Sequence, residues 1–149
     1  MSLSQKCQYA VRAVLELSKR YGHGVVPAGA VAVSQAAPQR FMEVILNELK
    51  PTGLVASRRG VQGGYYLTRD PKQITVGEVI RRMAGPLEPV RCTSDTESAC
   101  CPLRGRCSLA ELWGQARKAL ENVYDSTTFQ DLVEREEALN RYAVLDYCI

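Results

Sequence analysis

The 149 residues are 46% hydrophobic and 23% charged, the balance of a globular protein, and they suffice for one domain or a small domain with a helical appendage. No apolar run approaches the roughly 20 residues that span a bilayer, and the opening Met-Ser-Leu-Ser-Gln-Lys has no apolar signal core, so a cytoplasmic chain without export or membrane association is expected. The net charge of +3 hides an asymmetry, because residues 1–90 carry 12 Lys and Arg against 6 Asp and Glu while residues 91–149 carry 7 against 10, a basic front suited to a polyanion and an acidic rear suited to self-association or sensing.

Ser4 is placed to cap a first helix running to about Tyr21, with Ala10, Val14, Leu17 and Tyr21 at helical spacing and Gly22 and Gly24 as its stop. His23, the only histidine, falls between those glycines and reads as a solvated turn residue rather than a ligand. A short helix follows Pro27, over Ala28 to Ser34. Pro38 then opens another helix in its first turn, where the missing N–H costs nothing, and Pro51 and Gly53 stop it after about Lys50. Its apolar stripe is Phe41, Met42, Ile45, Leu46 and Leu49, and its other face carries Gln39, Arg40, Glu43 and Asn47. Two short helices, the second with a long-armed polar face, form the helix-turn-helix pattern; an ordinary amphipathic hairpin would look the same.

The next segment separates those two. Leu54 to Arg58 is a strand, Arg59-Gly60-Val61-Gln62-Gly63-Gly64 a glycine-rich turn, and Tyr65 to Thr68 a second strand. A hairpin directly after the polar helix, with Arg58 and Arg59 at its tip, reads as a wing whose backbone can approach a phosphate or a narrow groove. A phosphate-cradling nucleotide loop would lead from its glycines into a helix, and here they lead into a strand. Asp70-Pro71 makes a turn, and Thr75 with Glu78 forms a capping box for a helix through Arg82 or Met83, ended at Gly85-Pro86.

Residues 92–107 then hold four of the six cysteines, Cys92, Cys100, Cys101 and Cys107, in a segment too polar to be a core helix or strand. Thiols crowded into a polar loop reach one another without moving folded elements, as a soft metal centre or a switchable disulfide requires. Structural disulfides are the plain alternative, disfavoured where the cytosol keeps thiols reduced. After Cys107, Leu109, Leu112, Trp113, Ala116, Leu120 and Val123 recur near 3.5 residues, a seam for a partner helix or for an intrachain contact. Ser126 or Thr127 caps a last helix with Phe129, Leu132 and Val133 as apolar contacts.

Helix, turn, polar helix, wing, cysteine loop and long helix in this order make the chain, over about residues 3 to 134, resemble the Rrf-two family of bacterial winged-helix regulators. The resemblance is carried by Ser4-Gln5-Lys6-Cys7-Gln8-Tyr9-Ala10-Val11-Arg12-Ala13, by Arg40-Phe41-Met42-Glu43-Val44-Ile45-Leu46, and by Gly53-Leu54-Val55. Arg59-Gly60 with Gly63-Gly64-Tyr65, and Ile74-Thr75-Val76-Gly77-Glu78-Val79-Ile80, complete it. It implies a mainly α fold with a small β-wing: a winged helix-turn-helix DNA-binding domain over 1–84, a cysteine-rich sensor loop over 85–107, and a helical dimerisation region over 108–149. It also implies a homodimer on an inverted-repeat operator in double-stranded DNA, with Gln39, Arg40 and Glu43 at the major groove and Arg58 and Arg59 at the minor groove.

In members that carry a cluster, three loop cysteines ligate iron, the second and third with five residues between them. The resemblance therefore implies Cys92, Cys101 and Cys107 as ligands of a 2Fe–2S or 4Fe–4S cluster, with Cys101 rather than Cys100 as the second. Two departures bear on the fourth ligand. One branch takes a histidine where this chain has Ala110, and the nitric-oxide-sensing branch takes a carboxylate of the partner's first helix where this chain has Gln8. Cys100 and the partner's Cys7 are the candidates for that position; a cluster lacking a protein ligand would be labile, so aerobic purification is expected to yield apoprotein. The wing also has Val61-Gln62 where members often have Pro-Gly.

The reading is thus a transcriptional regulator, not an enzyme, whose operator binding an iron–sulfur cluster or thiol redox state tunes. A cluster-free thiol switch on the four loop cysteines, or a structural zinc on the same four thiolates, keeps the DNA binding and changes the chemistry. A small metal or redox carrier has little support, since there is no Cys-x-x-Cys, no histidine near the thiols and no convergent acids and bases.

Overall fold

In the computed structural model, residues 3–90 and 101–146 are described. The first helix, α1 (Gln5–Lys19), starts where Ser4 Oγ accepts from the Cys7 N–H at 3.2 Å, the cap expected of a serine there. Cys7, Ala10, Ala13, Val14 and Leu17, at i, i+3, i+6, i+7 and i+10, share one helix face and are all buried. Tyr21 lies beyond the helix end and is 42% exposed, which removes it from the stripe.

Two helices pack onto α1: α2 (Ala28–Ser34) and α3 (Gln39–Leu49). The turn between them carries Ala36 at φ 48°, the one non-glycine residue with positive φ among the described residues. Pro38 precedes α3 as its cap rather than occupying its first turn. Met42, Ile45, Leu46 and Leu49 are fully buried, and half-buried Phe41 meets Tyr9 edge-on with ring centroids 5.5 Å apart.

The wing consists of β1 (Val55–Arg58) and β2 (Gly64–Leu67), antiparallel, with Val55 opposite Leu67 and Arg58 opposite Gly64. Val26 adds an isolated bridge to β2: it and Tyr65 exchange both backbone hydrogen bonds at 2.8 Å. Gly64 is required by that approach, since a Cβ there would sit 2.6 Å from the Val26 carbonyl. Asp70 Oδ1 accepts from the Lys72 N–H at 2.9 Å to form the following turn. Thr75 caps α4 (Val76–Ala84) through the Glu78 N–H at 3.2 Å. Only half of the expected box forms, because the Glu78 carboxylate turns to Arg69 at 2.6 Å and Arg82 at 2.8 Å.

The chain then runs through α5 (Ala110–Asp125) and α6 (Phe129–Asp146). The expected caps of the last helix are displaced by two or one residues. Ser126 and Thr127 hydroxyls bond back to the Val123 carbonyl, at 3.3 and 2.9 Å, and Thr128 with Asp131 forms the cap instead. Thr128 is fixed there by an antiparallel bridge to Thr75, with the Val76 N–H reaching the Thr127 carbonyl and the Phe129 N–H the Ile74 carbonyl, each at 3.0 Å. Phe129 is thereby driven into the core formed by α1, α3 and α4 and is fully buried. Lys19 ties α6 to α1, at 2.6 Å from Glu136 and 2.9 Å from buried Glu16. Burial alone would lower the Lys19 ammonium, but hydrogen bonds and attraction from the two carboxylates outweigh it and hold its pKa above the ordinary lysine value. The result is a mostly helical winged-helix fold, and no helix among the described residues is long and apolar enough to cross a membrane.

Candidate nucleic-acid interface and cysteine loop

Burying its stripe forces α3 to present the opposite face. Gln39, Arg40 and Asn47 are exposed and Glu43 half-buried, held by the Gln39 Nε2, which donates to Glu43 Oε1 at 2.9 Å. Arg40 makes no ion pair or hydrogen bond among the described residues. Val44, not expected there, is 51% exposed on the same face. A sequence signal existed for it: positions 40, 44 and 47 are a helical i, i+4, i+7 series.

The wing stands beside this face. A cleft of about 420 Å3 opens between them, with Gln39, Glu43 and Asn47 on one wall and Arg58 and Arg59 on the other. The Tyr65 hydroxyl donates to Asn47 Oδ1 at 3.3 Å and thereby fixes the wing's angle to the helix. Arg58 Nη2 reaches the Gln62 carbonyl at 3.4 Å across the wing tip, where Gly60 adopts φ 114°, and Arg59 is exposed without a partner among the described residues. Five polar side chains, four of them able to donate, thus line one concave strip, the chemistry that phosphate oxygens and base edges call for.

Of the six cysteines, Cys92, Cys100 and Cys148 lie outside the described residues. Cys7 is fully buried among the apolar residues of its own chain, and that burial pushes its thiol pKa up. It faces the core and not a partner's loop, which argues against it as a fourth ligand. Gln8, exposed, donates to the Leu3 carbonyl at 2.8 Å. Cys101 and Cys107 are half-buried free thiols at the two ends of a turn closed by the Arg104 N–H on the Cys101 carbonyl at 3.1 Å. The Cys107 carbonyl accepts from the Ala110 N–H at 3.2 Å, so this cysteine is joined to the first turn of α5. Among the described residues no three metal-ligating side chains come together. The described part of the donor set, two free thiols flanking one short turn, has the soft sulfur chemistry that an iron–sulfur cluster takes.

The α5 helix buries none of its residues. Leu109, Leu112 and Val123 are 49%, 52% and 62% exposed, with Trp113, Ala116 and Leu120 half-buried beside them. Its far end is tied back by Asp125, which pairs with Arg81 of α4 and holds that guanidinium above its usual pKa.

Known proteins share this arrangement. Residues 3–135 match the Rrf2 family model, described as an iron-dependent transcriptional regulator. The transcriptional regulator CymR of Bacillus subtilis is 36% identical over 132 residues, 89% of each chain. Its solved structure, that of the global cysteine regulator of that organism, superposes with a TM-score of 0.75, covering 91% of this chain and 98% of the other at 34% identity. The regulator IscR of Cronobacter sakazakii is 32% identical over 140 residues, 94% of this chain and 85% of that one. The oxidized form of Staphylococcus aureus CymR matches with a TM-score of 0.69 at 27% identity, covering 90% of this chain and 97% of the other. These relatives are regulators and not enzymes, and with residues 3–135 matching the family's model this chain belongs to the Rrf2 family of transcriptional regulators.

Proposed function

We propose that the chain acts as a homodimer on an inverted-repeat operator, reading the major groove with Gln39, Arg40 and Glu43 and gripping the minor groove or its phosphates with Arg58 and Arg59. The observation that carries this reading is the cleft shared by α3 and the wing, lined by Gln39, Glu43, Arg58 and Arg59, with Arg40 exposed on α3 outside it. Arginine takes a bidentate hold on guanine, glutamate accepts from cytosine and penalises other bases, and a wing arginine is drawn to the negative potential of a narrow minor groove. The apolar face of α5 supplies the two-fold contact, and protein symmetry then dictates operator symmetry. Affinity for a duplex should fall steeply with added salt, as it does when lysines and arginines displace counterions from phosphates. A salt-independent affinity would contradict the reading.

Cys92, Cys101 and Cys107 would hold an iron–sulfur cluster in the sensing loop, as the thiol chemistry of the described pair and the iron-dependent description of the family support. When bound, the cluster supplies a thiolate-ligated redox centre sensitive to oxidants and small molecules. The chain's own part is mechanical. Cys107 is hydrogen-bonded to the start of α5, so tension on the loop passes to α5 and, through Asp125 and Arg81, to α4 at the end of the reading domain. Half-sites lie about 34 Å apart on B-form DNA, so a small change in the crossing of the two α5 helices alters the fit of both reading heads at once.

A thiol switch on the same loop is the second reading, favoured by the free, half-exposed Cys101 and Cys107 and by the likeness to an oxidized CymR. Anaerobic reconstitution separates the two: visible absorption with bound iron and sulfide, lost on serine substitution at Cys92, Cys101 or Cys107, supports the cluster. One zinc per chain and no iron would make the loop structural.

A further inference from the structure

A second cleft, of about 560 Å3, opens where the end of α1 and the turn after it meet the wing. Its floor is apolar: Leu17 and Leu67 are 1% and 4% exposed, and Val25 lies half-buried between them. Two tyrosines, Tyr21 and Tyr66, stand half-exposed at its rim. Arg20 and Arg58 bring two positive charges to the lining, and no aspartate or glutamate is part of it. The Arg20 guanidinium and the hydroxyls of Tyr21, Ser57 and Tyr66 have no hydrogen-bond partner among the described residues. An apolar floor, aromatic walls and a few unspent polar groups in a space of this size are the makings of a small-molecule site.

We propose that this cleft binds a small amphipathic anion, a carboxylate or sulfonate carried on an apolar body of one or two rings. The two arginines would take the charge, Arg20 with its planar fork free to form paired hydrogen bonds, while the ring body covers Leu17, Val25 and Leu67 between the tyrosines. A bare phosphate of a nucleic acid satisfies the arginines but leaves the apolar floor wet, which is why an organic anion fits better. Arg58 lines both this cleft and the one facing α3. An anion held here therefore draws Arg58 away from the groove, and occupancy weakens DNA binding. That last coupling rests on the wing reading above, whereas the binding site does not.

Naphthoate, with its neutral amide naphthamide as control, is the probe. In the full-length protein without DNA, naphthoate should bind saturably with a dissociation constant of about 1 mM or tighter, ordinary for a ligand of this size. It should shift the ring resonances of Tyr21 and Tyr66, and naphthamide should bind at least about tenfold more weakly, the charge being the discriminating group. Arg20→Gln should weaken naphthoate about tenfold or more while leaving operator affinity unchanged, and Ser57→Glu, which adds a carboxylate to the lining, should also expel it. Absence of saturable binding, equal affinity for the amide, or indifference to both substitutions would overturn the site. If Arg20→Gln instead lowers DNA affinity and its salt dependence while naphthoate does not bind, the cleft holds a DNA phosphate and the proposal is wrong. Saturating naphthoate should lower operator affinity several-fold in the unmutated protein; binding with no such effect keeps the site and refutes the coupling.

Discussion

Two helices of nearly equal length, α1 with 15 residues and α5 with 16, meet opposite fates. Both carry an apolar stripe, yet α1 buries seven residues against its neighbours and α5 buries none. The difference lies in what surrounds them. The α1 stripe is covered by α3, α4 and the start of α6, whereas α5 touches the rest of the chain mainly through α4 and the Asp125–Arg81 pair at one end. The reading half is finished, with no unsatisfied buried polar side-chain atom among the described residues. The α5 face is unfinished, and its exposed leucines and Val123 are what the proposed two-fold contact would cover.

If that contrast is right, the two halves break differently. Glutamate at both Leu112 and Leu120 should have the largest effect. Two leucines from each chain leave the interface, at about 1.5 kcal/mol apiece, so association should weaken by roughly 6 kcal/mol, about four orders of magnitude. Sedimentation should show monomers, while the helical circular dichroism of the reading half persists. Phe129→Ala should do the reverse. Emptying a fully buried phenylalanine site costs about 3–5 kcal/mol, so denaturant unfolding should shift strongly even at concentrations where the dimer is intact.

Arg59→Ala sharpens the comparison at the DNA. It should leave both mass and unfolding unchanged and weaken operator binding by about 1–3 kcal/mol in an anisotropy titration, the scale of one lost groove contact. The smallest effect is expected in the turn between α2 and α3. Ala36 sits at positive φ, which an L-residue tolerates poorly, and Ala36→Gly should raise thermal stability by about 0.5–1 kcal/mol without altering assembly.

How far the sequence carries depends on whether a feature is local. The stripes of α1 and α3 are local periodicities, and Cys7, one three-residue step before Ala10, carries the same signal, although from sequence it stands as a candidate ligand. The hairpin is local too, since Arg59 to Gly64 contains its own turn residues. The Val26–Tyr65 rung is not, because nothing within a few residues of Val26 announces a partner 39 positions away. The cap of α6 fails for the same reason. Ser126, Thr127 and Thr128 are all good capping residues, and only the bridge from Thr128 to Thr75 selects among them. At the interface, Gln39, Arg40 and Glu43 follow from the polar face of one helix, but the Tyr65–Asn47 bond that sets the wing against that helix needs two elements to be assembled first.

The proposed function stands or falls on two copies, joined through α5, reading one symmetric site. Sedimentation equilibrium of the unmutated protein with a short inverted-repeat operator duplex measures this directly. Two chains per duplex at saturation and a dimer in the free protein are expected. One chain per duplex, or a free protein with the mass of a single chain, would contradict the proposed function.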